Sequence, residues 1–341
     1  EINEEIDKLR LSATANLLTR KDVIVVASVS CIYNLGSPVE YGKFILELAR
    51  GMRIDQKDIM IRLADLQYSR NDYEFTRGSY RVRGGSLDLF PAYVDFGLRI
   101  DMHEGKILAL AEFDPLTGET IQVLEKTVIY PAKHYMTDPN SHAGAFEKMQ
   151  HDLDTRVEQL KKSGKILEAQ RLQQRTTYDI EMIKEVGYVN GIENYSIYFD
   201  GRKPGDPPYT LIDYFNHISK DWLLVVDESH ITIPQIRGMY NGDQARKTTL
   251  VEYGFRLPSA MDNRPLRFDE FMRQTSQIVY VSATPNDYEV SLSQEAEHGV
   301  VEQLIRPTGL VDPEIEIRPS KGQIADLLKE IEKRVKQNER V

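Results

Sequence analysis

The sequence predicts an α/β fold in which a parallel-sheet domain is interrupted by a β-rich insert and a helical subdomain. Three observations carry this. Two apolar runs, Leu223-Leu224-Val225-Val226 and Ile278-Val279-Tyr280-Val281, stop abruptly in polar residues, as buried parallel strands do where their carboxyl ends bear chemistry. Residues 73–130 alternate apolar and polar side chains with period two between glycine-bearing turns, the pattern of antiparallel strands with one wet face. Residues 143–186 place Leu153, Val157, Leu160, Leu167 and Leu172 at helical spacing among charges that include Arg171, Arg175 and Lys184.

In chain order, Ile2, Ile6, Leu9, Ala13 and Leu17 predict a first helix, and Lys21-Asp22 then lead into the apolar run Val23–Val29, expected as a buried strand. Gly36-Ser37-Pro38 punctuates a loop before a helix expected at 38–50. The first part of the sheet domain is thus 1–51, and the β-rich insert is 52–138. Its strands are read from Tyr73–Arg83, Ser86–Phe90, Leu98–Met102 and Val123–Tyr130. The helical subdomain occupies 139–209, ending in the breaker-rich loop 201–208. The sheet domain resumes over 210–305, with Tyr240–Arg246 expected as a polar, turn-prone loop. A further unit opens at 306–341, where Ile315–Arg318 reads as a strand and Gly322–Arg340 as an amphipathic helix.

The two strand ends hold the chemistry. Asp227 and Glu228 emerge together at the first, where one carboxylate can hold Mg²⁺ through water and its neighbour can orient an attacking water. The plainer alternative is a strand followed by an acidic turn. Ser282 and Thr284 offer hydroxyls at the second end, and Pro285 stops that strand. His230 follows two carboxylates, but metal-ligating histidines come with other ligands at defined spacing and none accompanies it. It reads instead as a link between the two ends. On the insert, Arg81 and Arg83 share a strand face with Arg70 and Arg77 nearby; they either grip carboxylates bidentately or form a solvated face.

A phosphate-binding loop needs Gly-x-x-x-x-Gly-Lys and then Ser or Thr, so that backbone amides cradle phosphates while the lysine reaches the terminal ones. No such string occurs; Ser163-Gly164-Lys165-Ile166 lacks the first glycine and the final hydroxyl.

A chain of 341 residues with 41% hydrophobic content implies two or three compact units. The formal net charge of −10 excludes a surface that is basic throughout, so any nucleic-acid contact must be a local groove with salt-sensitive affinity. No apolar stretch approaches bilayer length and no secretory leader is visible, so no membrane partner is expected. The single cysteine, Cys31, follows an apolar run and reads as a buried thiol in a reducing compartment, which makes the cytoplasm the expected location.

Asp227-Glu228-Ser229-His230 and Ser282-Ala283-Thr284 resemble motifs II and III of superfamily 2 helicases. Longer strings resemble one family closely: Gly191–Tyr195 (GIENY), Pro208–Leu211 (PYTL), Arg237–Asp243 (RGMYNGD), Gly254–Ser259 (GFRLPS) and Arg306–Gly309 (RPTG). Together they are similar to the UvrB family, the damage-verifying subunits of bacterial nucleotide excision repair, and the resemblance covers essentially the whole chain.

That resemblance implies an incomplete RecA-like P-loop helicase domain at 1–51 and 210–305, with the start of a second helicase domain at 306–341. It implies ATP and Mg²⁺ as cofactors, Asp227 (the Mg²⁺ carboxylate, through water) and Glu228 as catalytic residues, and His230, Ser282 and Thr284 as the residues coupling the motifs. The implied activity is ATP-dependent DNA binding with weak strand separation. The insert would dock onto UvrA through Arg70, Arg81 and Arg83; a similar insert in the transcription-repair coupling factor does the same, so the downstream motifs separate the two. Damaged DNA would lie against Arg10, Arg175, Glu193 and Arg256, each of which could equally form a structural ion pair. UvrC would be a partner through a region outside this chain, and a place in the SOS response follows. The phosphate loop and an aromatic β-hairpin are expected upstream of Glu1, and arginine-bearing motifs downstream of Val341. The chain is therefore expected to be an internal portion without ATPase activity of its own; the alternative is an isolated UvrA-binding module. Nothing in the sequence reads as a nuclease centre, so incision would belong to a partner.

Overall fold

Asn3 begins the first helix, α1 (Glu4–Thr19), by accepting the Glu5 and Ile6 N–H groups on its side chain at 3.0 and 3.2 Å. The computed structural model describes residues 3–135, 143–305, 309, 311 and 313–340. Ile2 of the first helix, the last residues of the insert as read from sequence, and Arg306–Thr308 of the RPTG string lie outside the described residues. The chain divides into two compact units, one reaching Glu289 and the other starting at Val290.

The run Val23–Val29, expected as a buried strand, makes no ladder among the described residues. Val23 and Val25 pack inward, whereas Ile24 and Val26 are 94% and 97% exposed. The alternation is that of a strand face, but a strand exists only where a neighbour takes up its N–H and C=O groups. A short 3₁₀ turn, Val29–Ile32, follows and buries Ile32.

The helix read over 38–50 is shorter than expected. Ser37 caps α2 (Pro38–Lys43), and Leu46–Ala49 then forms strand β1. Its partner is β8 (Lys126–Ile129), antiparallel with Leu46 opposite Ile129, so the two strands close the stem of the insert. Between them lie α3 (Gln56–Asp65) and a six-stranded sheet of β2 (Ser69–Arg70), β3 (Ser79–Arg83), β4 (Ser86–Phe90), β5 (Gly97–His103), β6 (Lys106–Phe113) and β7 (Thr120–Leu124). The strands neighbour one another in sequence order; β2 and β3 are parallel and all later pairs antiparallel. Period two sends Tyr80, Leu87, Leu89, Leu98, Ile100 and Leu110 to one side, where they pack with Ile59 and Leu63 of α3.

The helical subdomain is built on α4 (Ala143–Lys162) and α5 (Ile166–Val186), joined by a turn in which Gly164 takes φ +76°. Their shared stripe, including Met149, Leu153, Leu160, Leu172 and Ile183, closes over Ile192 and Tyr195 of the 3₁₀ segment Ile192–Tyr198. A capping box of Thr210 and Asp213 then starts α6 (Leu211–Ile218). The sheet domain continues with β9 (Leu224–Val226), α7 (Ser229–Glu252), α8 (Phe268–Gln274) and β10 (Ile278–Tyr280); α9 (Asp287–Gln294) crosses into the second unit.

Tyr240–Arg246, expected as a loop, lies inside α7. Asp243 and Lys247, one turn apart and both buried, pair at 2.9 Å, and Ile236 packs with Ile32. Packing of this kind outweighs the weak helix propensity of Gly238, Asn241 and Gly242. A second buried pair fastens the breaker-rich loop: Arg264, 2% exposed, donates to both oxygens of Glu270 at 2.7 and 2.8 Å and to the Gly205 carbonyl at 3.0 Å. In the second unit, Ile315–Arg318 forms no strand, and α10 (Gln323–Lys336) presents Ile324, Leu327 and Leu328 exposed along one stripe. No helix among the described residues is long and apolar enough to cross a membrane.

Two expectations follow from this packing. A Cβ at Gly97 would come within 2.5 Å of the fully buried Phe113 ring, so Gly97→Ala should destabilise the insert by about 1–3 kcal/mol in urea unfolding. His134, at the exit of the insert, has an Nε2 shielded from solvent and without a hydrogen-bond partner. Burial, reinforced by the Arg10 charge, holds its pKa down to about 4. As pH falls from 6.5 to about 4, the unfolded chain gains a proton that the folded chain refuses. Stability should therefore drop across that window by about 3 kcal/mol more in the native chain than in His134→Phe, as measured by thermal unfolding against pH.

Candidate functional site

The carboxylate turn is built by two parallel strands. Val226 lies opposite Tyr280, the Val281 N–H donates to the Val226 carbonyl at 2.9 Å, and the Ser229 N–H donates to the Val281 carbonyl at 3.0 Å. To pass from β9 into α7 within this bonding, Glu228 adopts the left-handed region, φ 43° and ψ 52°, which is sparsely populated for a residue with a Cβ. The reversal throws the side chains of Asp227 and Glu228 outward, and both are exposed. Asp227 is steadied by the Glu228 N–H, which donates to its Oδ1 at 3.0 Å, and its carbonyl accepts the Thr232 hydroxyl at 2.8 Å.

His230 sits one residue into α7. Its Nδ1 lies 2.7 Å from Ser282 Oγ and 3.5 Å from Glu228 Oε2, and Ser282 Oγ accepts the Thr284 N–H at 3.1 Å. The structure thus brings Glu228, His230, Ser282 and Thr284 into one chain of contacts. Two residues that sequence reasoning missed complete it. Glu289, 3% exposed, accepts the Ser229 hydroxyl at 2.9 Å and the Asn286 N–H at 3.0 Å, while the Asn286 side chain donates to the His230 carbonyl at 3.0 Å. Burial alone would push the Glu289 carboxyl up, but these donors and the nearby His230 hold it below the usual range. Asn286 directly follows Pro285 and Glu289 lies three residues further on, and a polar residue after a proline was the available signal for a helix start there.

A second group gathers around α5. Arg175 donates to Asp179 Oδ2 at 3.0 Å and to the Asn190 carbonyl at 3.1 Å, and the Tyr195 hydroxyl donates to the same carboxylate oxygen at 2.7 Å. Burial and then Asp179 push the Tyr195 phenol up, and the charge of Arg256 opposes them. Glu193 lies two residues before Tyr195 on the same 3₁₀ segment. Burial, then the charges of Glu193 and Asp7, raise the Tyr188 phenol. Arg175 and Glu193 thus lie on the two segments that Asp179 and Tyr195 join. Arg256 follows Phe255, whose ring lies 4.2 Å from the Arg171 guanidinium one turn before Arg175, and Arg10 is exposed on α1. No hydrogen bond or ion pair links the four among the described residues.

The insert arginines separate into two kinds. Arg81, Asp88 and Arg99 lie opposite one another on β3, β4 and β5, and both guanidiniums donate to the 5%-exposed Asp88, from 2.8 to 3.3 Å. Arg81 also covers the Phe75 ring at 4.3 Å and Arg99 the Phe113 ring at 4.5 Å, with Phe75 and Phe113 stacked at 5.9 Å. Of the two alternatives the pattern left open for Arg81, this is a carboxylate grip, made within the chain itself. Arg83 stands exposed at the hairpin and forms no ion pair among the described residues, while Arg70 pairs with Asp72 at 2.9 Å on the surface. The Asp88–Arg99 half of this network was missed because the partners come from neighbouring strands, and only the register aligns them.

Comparison with known proteins agrees with this architecture. Residues 46–135 match the UvrB interaction domain, and residues 140–201 match the UvrB third helical domain. The chain is 56% identical over 341 residues to the UvrABC system protein B of Carboxydothermus hydrogenoformans. It is 54% identical over 340 residues to that of Gloeothece citriformis and 55% over 341 to that of Lactiplantibacillus plantarum. In each case all of this chain is covered and 50% of the relative, so the chain spans about half the length of the curated relatives it matches. The stem formed by β1 and β8 falls within the first matched domain, and the α4–α5 core with the GIENY segment falls within the second. The chain belongs to the UvrB family.

Proposed function

We propose that this chain is the part of a UvrB-family protein that verifies DNA damage at the expense of ATP in the UvrABC excision system. The observation that carries the reading is the linked turn at the ends of β9 and β10, where two exposed carboxylates stand side by side and one of them, Glu228, is in contact through His230 with Ser282 and Thr284. Mg²⁺ in nucleotide sites takes one or two carboxylates and fills its octahedron with water and phosphate oxygens. Asp227, held by the Glu228 N–H and open to solvent, suits that ion, and Glu228 suits the task of orienting a water. Bound Mg²⁺-ATP would supply the phosphoanhydride bond. The chain's own contribution is to hold the two carboxylates and to relay their position through His230 to the second strand end. The phosphate cradle is not in this sequence, so the residues present form one wall of a RecA-like cleft.

The resemblance and the relatives' names extend the reading to partners. UvrA would dock on the insert, for which Arg83 and Arg70 offer exposed guanidiniums, while Arg81 is held by Asp88 and shapes the surface beneath. Damaged DNA would lie along Arg10, Arg175, Glu193 and Arg256, and UvrC would join through the remainder of the protein. A cytoplasmic setting fits this work.

In a full-length version of the protein, Glu228→Gln should lower ATP turnover by about 10²-fold or more while leaving UvrA affinity unchanged; undiminished turnover would sink the catalytic assignment. A module that only binds UvrA is the second reading, favoured by the self-contained insert. Titration of this polypeptide with UvrA tests the docking face. Arg83→Glu should weaken binding about tenfold or more with no change in thermal stability, and unchanged affinity would refute it.

A further inference from the structure

Helix α7 runs for 24 residues, about 36 Å at the α-helical rise, with Pro234 in its second turn, and both of its ends are fastened to other elements. Its first turn is held at the carboxylate site by the Ser229 N–H, the Ser229 hydroxyl and the His230 carbonyl, which bond Val281, Glu289 and Asn286. Its last turn contains no basic residue of its own, although the carbonyls there form the negative pole of the helix.

That pole is met instead by three cations from the helical subdomain. Arg156 of α4 donates to the Val251 carbonyl at 3.4 Å, Lys165 of the α4–α5 turn to Glu252 at 3.4 Å, and Arg171 of α5 to Tyr253 at 2.7 Å. The Arg171 guanidinium also lies 4.2 Å over the Phe255 ring. Contact between the two elements is backbone to backbone: a Cβ at Gly254, where φ is +70°, would fall 2.3 Å from the Glu168 carbonyl oxygen of α5. Arg256 follows two residues later, directly after the Phe255 that Arg171 covers, and Arg175 stands one turn beyond Arg171 on α5.

We propose that Arg156, Lys165 and Arg171 are positioning residues that couple the nucleic-acid groove of the helical subdomain to the carboxylate turn at the far end of α7. A shift of α5 when Arg175 and Arg256 engage DNA pulls on the last carbonyls of α7, and the rod carries the displacement to Ser229 and His230. This inference rests on the reading of the groove and the turn given above.

The test compares wild type, Arg171→Ala, Arg171→Lys and Lys165→Met in the full-length protein. The ratio of DNA-stimulated to basal ATP turnover should fall about fivefold or more in Arg171→Ala, with basal kcat, the KM for ATP and Tm little changed, and recover in part in Arg171→Lys. The exposed Lys165→Met should show the same sign with a smaller loss and no risk to folding. Hydrogen exchange at residues 228–232 upon adding DNA gives a second readout, responding in wild type and muted in the variants. An unaltered stimulation ratio together with unaltered exchange overturns the coupling, as does an equal loss of basal and stimulated turnover. If wild type shows no turnover at all, the ATPase reading fails, and the exchange response alone decides the coupling.

Discussion

The turn from β9 into α7 is the constraint on which the rest of the first unit depends. Two parallel strands of three residues each make a meagre sheet, and their bonding is carried past the strand ends by the Val281 N–H on the Val226 carbonyl and the Ser229 N–H on the Val281 carbonyl. That bond obliges Glu228 to take a left-handed backbone, a strain on the order of 1 kcal/mol or more for a residue with a Cβ. Ser229, Glu289 and Asn286 offset it with buried hydrogen bonds. The same strained residue faces two exposed carboxylates outward and sets the direction of α7, so the site and the longest helix share one origin.

The insert is organised differently. Its stem is a non-local pairing of β1 with β8, and between these strands the sheet runs strand by strand with an apolar side packed on α3. The other side is a laminate of arginine on phenylalanine, tied by a carboxylate shared between Arg81 and Arg99. Stacked guanidiniums of this kind stiffen the face on which they lie, because planar donors lose little freedom when a ring and a carboxylate already fix their plane. Arg83 projects from the edge of that stiff surface.

Much of the chain's positive charge is likewise committed internally. Arg202 with Asp200, Arg264 with Glu270 and Lys247 with Asp243 are nearly or fully buried pairs, and each would be costly to break on one side. These three cations are closed to an outside anion, whereas Arg10 and Arg83 are among the many exposed ones. The proposed groove would attract nucleic acid locally while the acidic body of the protein repels it, with an affinity that falls as salt rises.

The sequence by itself determined the elements whose signal is local. The period-two strands of the insert, the α4–α5 stripe, the two apolar runs and their polar ends, and the family strings were all legible, because each lies within a window of a few residues. Only tertiary structure decided the rest. Val23–Val29 has the composition of a strand but pairs with no strand among the described residues, whereas Leu46–Ala49, within a stretch that reads as helix, pairs with a strand far along the chain. Tyr240–Arg246 reads as a loop until the buried Asp243–Lys247 pair and Ile236 hold it in a helix. At the site, Asp227, Glu228, His230 and Ser282 could be named from their strings, but not Glu289, nor the capture of Arg81 by Asp88. Local patterns record what a backbone prefers; hydrogen-bond ladders, buried ion pairs and the partners of an arginine depend on which distant residues the fold brings within about 3 Å.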